Sequence, residues 1–453
     1  MRFSTIPISI ILFITAVSLT ASEAEVITYN DVVRDTLRSS ARLKVKKEDI
    51  NIADASYKQI FAGLYPEITL NNRLERYENL DKSSQQGIKS VSTEVVGSGD
   101  SAWRSQFYLS GQYDISSWYK KRFEAAYYEK LKGASEYDCE VEAKKLLREV
   151  TDLFGALTEG RIKLKYSGDI IEKLKALHDL KKQTFAGGES TYEEVLKAEA
   201  DVVSAEKELA TITKESKENL ERLYSYTGKR YAPETETEAL NPRTTQDIKE
   251  TLKIIEDTPE YKARMKELEA LQFKEKSARN NFLPDISLYG RYDYYGSNVN
   301  GPESAVRDVR EAGYNVGLFI RLPIFDGGAR KWERAKSLHE IRKQQESIKA
   351  TIEEKGRDIK TIQAGYAELT RTLGHYRRLA EQYGRLCAIS RKAHAYGQRS
   401  MADIFEMEKD FLAVERDLKV TENALAIYEK RLYLETDYAN FVREFYGNWA
   451  CLH

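Results

Sequence analysis

Proline is scarce in this chain, with only 8 residues in 453, and glycine is modest at 25. Helices can therefore run far without an imposed break. Cysteine is scarcer still. Cys139, Cys387 and Cys451 make an odd count, two of them inside helical patterns, which argues against a disulfide framework and leaves them as incidental residues. The five histidines form no H-E-x-x-H pair and the cysteines no C-x-x-C, so neither a metal centre nor a bound cofactor is expected. Gly155 to Arg161 (GALTEGR) imitates half a phosphate loop but lacks the Lys-Ser/Thr and sits in a helical pattern. There is no G-x-S-x-G elbow either. The residues thus point away from an enzyme. Charge of one sign is also missing: 71 Lys+Arg stand against 72 Asp+Glu, so nothing favours nucleic acid as a partner.

Long apolar runs are absent beyond the N-terminus. Residues 1–24 carry Arg2, an apolar stretch from Ile8 to Val17 and a small-residue end at Ser22-Glu23-Ala24, the pattern of a secretory signal peptide. Past it, no segment reaches the ~20 apolar residues of a transmembrane helix. An exported chain of this kind that spans a membrane has to do so as a β-barrel.

What is present is a duplication. Phe61-Ala-Gly-Leu-Tyr-Pro-Glu-Ile-Thr-Leu70 returns as Asn281-Phe-Leu-Pro-Asp-Ile-Ser-Leu288, and Ala186-Gly-Gly-Glu-Ser-Thr-Tyr-Glu-Glu-Val195 returns as Ala395-Tyr-Gly-Gln-Arg-Ser-Met-Ala-Asp-Ile404. Two repeats are therefore expected, 25–235 and 236–453. In each, a helix is followed by two strands with apolar residues at every second position, at about 66–78 and 104–115, then about 284–296 and 313–323. Ile68, Leu70 and Leu74 alternate with Thr69, Asn71 and Arg73; Leu288, Tyr292 and Tyr294 alternate with Arg291 and Asp293. Alternation alone allows either a sheet over a protein core or a wall between lipid and water. The polar connections 80–101 and 297–312 join the strands of each pair.

Length decides more. Proline-free helical segments run from Ser116 to Phe185 and from Gly328 to Ala395, each ~105 Å as a helix. Their return partners span about 190–226 and 400–442. Phe411, Leu418, Leu425 and Leu432 lie seven apart, and Leu146, Val150, Leu153, Leu157, Ile170, Leu174 and Leu177 form a second stripe. Such helices need neighbours along their whole length. Four strands, for their part, are too few to close a barrel. Oligomerisation answers both needs, and three copies supply twelve strands.

Two segments carry a resemblance: Leu322-Pro-Ile-Phe-Asp-Gly-Gly328 between strand and helix, and the turn Tyr396-Gly-Gln-Arg-Ser-Met-Ala-Asp-Ile404. With the duplicated order of parts, they resemble the TolC family of outer-membrane efflux proteins across nearly the whole chain after residue 24. The resemblance implies an α+β membrane protein. Four strands per protomer would contribute to a trimeric 12-stranded β-barrel in outer membrane lipid, above an α-helical coiled-coil tunnel in the periplasm of a Gram-negative bacterium. It implies a passive exit duct of a tripartite efflux or type I secretion system, with a periplasmic adaptor and an inner-membrane transporter as partners. By position it further implies a periplasmic gate at Asp403 and Glu406 and a latch between Arg399 and Glu194, with His394 where an aromatic is expected. Adaptor-contact tips fall at Ala186, Gly188, Ala395 and Gly397, and a strand–helix junction at Asp326, Gly327 and Gly328. The alternative, a non-pore coiled-coil structural or adaptor protein of the envelope, has no need for two related strand pairs.

Overall fold

The computed structural model describes residues 27–78, 101–231 and 251–446; the signal segment and the connection 79–100 lie outside them. In chain order the elements are α1 (Tyr29–Ser39), α2 (Ala41–Ala62), β1 (Glu67–Glu78), β2 (Ser101–Asp114), α3 (Ser117–Ala186), α4 (Tyr192–Thr227) and α5 (Thr251–Asp257). There follow α6 (Pro259–Asn280), β3 (Asp285–Asn298), α7 (Pro302–Arg307), β4 (Glu311–Arg321), α8 (Ala329–Ala395), α9 (Met401–Thr436) and α10 (Tyr438–Tyr446). The four strands and four long helices fall within a few residues of the expected positions. Three short elements, α1, α5 and α7, were not foreseen. The last long helix also stops at Thr436 instead of reaching 442, because Asp437 starts a new helix: its carboxylate accepts from the Asn440 N–H.

Two compact units divide the chain, and both draw on both repeats. One comprises Met1–Ser39, Leu147–Thr245 and Gly365–Arg431; the other Ser40–Leu146, Gln246–Ala364 and Leu432–His453. In the first, α1 contributes Tyr29, Val32, Val33 and Leu37 to a buried core that includes Leu147, Val150 and Phe154 of α3 and Leu223 of α4. The Tyr29 hydroxyl lies 2.7 Å from Thr151 Oγ1, and its ring meets Phe154 edge-on at 5.5 Å. The predicted stripe is buried at Leu153, Leu157, Leu174 and Leu177, with Ile171 taking the place expected of Ile170. Close approach explains one glycine: a Cβ on Gly155 would stand 2.6 Å from Ile427 Cγ1, while the Gly155 carbonyl accepts from Asn423 Nδ2 at 2.9 Å.

The second unit holds the sheet, antiparallel in the order β1-β2-β3-β4, which leaves β1 and β4 as edges. Its unbroken register sorts the side chains into rows. Leu70, Leu109, Tyr292 and Tyr314 align across the four strands on one face, and Thr69, Ser110, Arg291 and Asn315 on the other. The polar face is tied together: Thr69 to Ser110 at 2.7 Å, Gln106 Nε2 to Asp293 at 2.9 Å, and Arg291 to Asp293 while stacked 3.8 Å over Tyr108. Most of the apolar face is bare. Leu70 is 77% exposed, Val316 72% and Tyr314 81%. Such exposure in adjoining rows is not the surface of a soluble sheet, and it resolves the ambiguity of the alternation in favour of a lipid-facing wall.

Below the sheet, four helices of the same unit meet at a buried ion cluster. Lys144 of α3 lies 2.7 Å from Glu435 of α9 and 3.2 Å from Glu260 of α6, and Lys355 of α8 lies 2.8 Å from Glu260 and 3.8 Å from Glu435. Two cations and two anions alternate, and Asp358 lies 3.9 Å from Lys355 at the margin. Cys139, read as incidental from the sequence, is in fact disulfide-bonded, whereas Cys387 is a buried free thiol. An odd count does not forbid one bridge; it leaves one thiol over.

Candidate conduit wall, junction and tip

The passage from β4 to α8 is built by one side chain. Asp326 accepts from the Gly328 N–H at 2.9 Å through Oδ1, and from the Arg330 N–H at 3.2 Å through Oδ2, which caps the helix. Arg330 Nε also donates to Asp326 at 2.6 Å, and its Nη2 donates to the Pro323 carbonyl at 2.8 Å, clamping the strand end to the first helical turn. These bonds, the Arg330 side chain foremost, hold the Asp326 carboxyl below the usual carboxylate range. Gly327 and Gly328 adopt φ of 68° and 88°, left-handed values that only glycine takes without strain. The chain turns from strand into helix here because the sequence places a cap and two glycines in succession.

The helix-to-helix turns repeat one design at an offset of 209. Gly188 has φ 79° and Gly397 φ 70°. Glu189 N–H donates to the Thr184 carbonyl at 2.8 Å, and Gln398 N–H to that of Ala393 at 2.9 Å, the six-to-one bond of a Schellman ending. Ala186, Gly188, Ala395 and Gly397 are all exposed, with open space around both glycines. The next helix is capped by Thr191 in the first turn and Ser400 in the second, whose hydroxyls accept from Glu194 N–H at 3.3 Å and Asp403 N–H at 3.2 Å.

Asp403 completes the box, accepting from the Ser400 N–H at 3.1 Å. The Ser400 bonds, followed by the charges of Arg399 and Lys181, keep its carboxyl below the ordinary value, so it is ionised at neutral pH. Asp403 and Glu406 are both exposed, flanking the buried Ile404. Arg399 and Glu194 are not brought together within one chain. Glu194 pairs with Lys181 at 2.6 Å, whereas Arg399 Nη1 donates to Ser390 Oγ at 3.0 Å and the Arg399 carbonyl lies 2.8 Å from His394 Nδ1. Lys181, Ser390 and Arg330 escaped the sequence reading. The Asp326/Arg330 spacing of four was a legible signal; nothing in the sequence marked the other two. Among the described residues there is no group of acidic, histidine or cysteine side chains that could hold a metal, and no helix long and apolar enough to cross a membrane.

The family model for outer membrane efflux proteins matches residues 32–229 and 253–435. The chain belongs to that family. Its location follows: the outer membrane, with the long helices extending into the periplasm. Among solved structures it is similar to the Campylobacter jejuni CmeC outer membrane channel, at 16% identity over 100% of this chain and 95% of that one, with a TM-score of 0.76. It is similar also to CusC, at 15% identity over 92% and 95% of the two chains and a TM-score of 0.76. The outer membrane protein VceC of Vibrio cholerae follows at 17%, 90%, 95% and 0.73. No curated protein sequence matches the chain. At these identities the likeness establishes the fold, and the efflux family supplies the frame in which the tip residues are read below.

Proposed function

We propose that three copies of this chain close a twelve-stranded barrel and form a passive exit duct for efflux or type I secretion. The observation that carries the reading is the four-stranded sheet, with a bare apolar face, a bonded polar face and two open edges. In lipid an open edge is not tolerated, and joining β1 of one copy to β4 of the next removes every edge. The driving force comes from elsewhere: a periplasmic adaptor and an inner-membrane transporter would deliver cargo to the tips. Ala186, Gly188, Ala395 and Gly397 are the proposed adaptor contacts, their exposure and small size leaving room for another chain. The test is planar-bilayer recording from detergent-extracted protein. Heat-modifiable trimers with discrete conductance support the duct; soluble monomers without conductance refute it and favour a coiled-coil tether.

Asp403 and Glu406 are the proposed periplasmic gate. Repeated three times they form two rings of carboxylates, which favour cations at a narrow mouth. The latch between Arg399 and Glu194 would form between copies, displacing the Ser390 and Lys181 bonds that each makes within one chain. Replacing Asp403 and Glu406 with alanine should relieve block by divalent cations, and Arg399→Ser should raise conductance. Recordings from both variants that match the parent would leave these residues as helix caps.

A further inference from the structure

The connection between β3 and β4 folds over the lipid side of the sheet. Three observations place it there. A Cβ on Gly296 would collide with the Asp308 backbone, Asn298 Nδ2 donates to the Asp308 carboxylate, and Ser105, paired with Gly296, is buried on that same face. Gly296 and Asn298 share the parity of Tyr292 and Tyr294, and Ser105 that of Phe107 and Leu109, with no bulge between them. Helix α7 therefore lies on the outward, apolar face, with its own Ala305 fully buried.

Its height follows from the strand. The apolar positions of β3 run from Ile286 to Tyr294, about 27 Å along the chain at ~3.4 Å per residue. A ~40° tilt makes that about 20 Å of vertical rise, close to the ~25 Å band of an outer-membrane barrel. The tyrosines at the upper end mark the interface. Helix α7 begins just beyond them, at the level of the headgroups. There the connection presents Val299, ahead of the helix, at 65% and Val306 at 45% exposure, with the exposed cations Arg307 and, after the helix, Arg310. Asp308 is taken up by Asn298 and lies only at the edge of contact with Arg310, at 3.9 Å.

We propose that α7 and the residues flanking it are a lipid-contact element of the outer leaflet: Val299 and Val306 enter the interface, and Arg307 and Arg310 engage the phosphates of its anionic glycolipid. The surface is continuous with the lipid-facing wall, which singles out lipid over a protein partner. The inference depends on the outer-membrane location and not on what the duct carries.

The test uses nitroxide labels on the full chain in a Cys387→Ser background, reconstituted in vesicles containing phosphorylated glycolipid. A label at Val306→Cys should collide with lipid-soluble oxygen more than with a water-soluble nickel reagent, as a label at Tyr314→Cys does. A label at Asn315→Cys on the polar face should show the reverse, and Val299→Cys repeats the measurement independently. Arg307→Gln with Arg310→Gln should lower glycolipid retained through detergent washing by several-fold. A Val306 label that behaves like Asn315 overturns the proposal, as does one shielded from both reagents, which would mean that another chain covers α7. Unchanged glycolipid retention overturns the phosphate contact.

Discussion

Removing Lys144 from the buried cluster should be among the most damaging single changes in the chain. Its ammonium contacts Glu260 at 3.2 Å and Glu435 at 2.7 Å, and only 2% of Lys144 is exposed. At an effective dielectric near 20 these contacts amount to roughly 5 and 6 kcal/mol of attraction. Most of that is offset by the desolvation of the ions, so the intact cluster adds little net stability. The asymmetry appears when one member goes. Lys144→Met takes the most buried cation away from Glu435 and Glu260, at a cost of about 3–5 kcal/mol. Adding Glu435→Gln removes the carboxylate that lost its closest cation and keeps the Lys355–Glu260 pair, so the double variant should be more stable than Lys144→Met itself. Far-UV circular dichroism melts of detergent-solubilised protein report the helices directly. A Lys144→Met melt equal to that of the parent, or a double variant showing the sum of the single losses, would refute the reasoning. The same cluster fixes a pH window. Burial opposes ionisation of Glu260, but Lys144 and Lys355 outweigh it, and its carboxyl falls below the ordinary 4.5. Burial likewise opposes the charge on Lys355, but Glu435 and Glu260 outweigh it and raise its pKa above 10.5. The depressed carboxyl contributes stability above pH 4.5 that is lost as pH falls through its folded value. The raised ammonium contributes below pH 10.5 and loses that contribution as pH rises through its own. The cluster's contribution should therefore be flat from about pH 5 to 10 and fade outside that range.

Gly155→Ala should destabilise by about 1–3 kcal/mol through overpacking on Ile427, despite alanine's better helix propensity, and Ile427→Ala should partly rescue its melt. Gly327→Ala forces a Cβ into a left-handed conformation costing about 1–2 kcal/mol; it should lower the yield of heat-modifiable protein, whereas an alanine at exposed Gly168 in mid-helix should not. Lys181→Gln frees Glu194 and removes a positive charge acting on Asp403, so divalent block should strengthen several-fold if the acidic mouth is real, while Lys181→Arg should retain parental block. Unchanged block in Lys181→Gln, with relief in Asp403→Ala, would show that Lys181 does not tune the mouth.

Much of this protein was determined locally. The absence of proline from 116 to 185 and from 328 to 395 permits helices of 70 and 67 residues, and Asp326-Gly327-Gly328 encodes its own turn through a cap and two left-handed positions. Period-2 strands and the offset of 209 between tips are likewise written in the order of residues, because they depend on neighbours a few positions away. The tertiary structure decided what distant residues do to one another. Lys144, Glu260, Lys355 and Glu435 look like four solvated helix charges until α3, α6, α8 and α9 converge and exclude water from them. The resemblance pointed Glu194 toward Arg399, and nothing in the sequence marked Lys181, which reaches it only across the closed hairpin. It could not place α7 either: Gly296 marks a close approach, but only the register of β3 on β2 shows that the approach is from the lipid side.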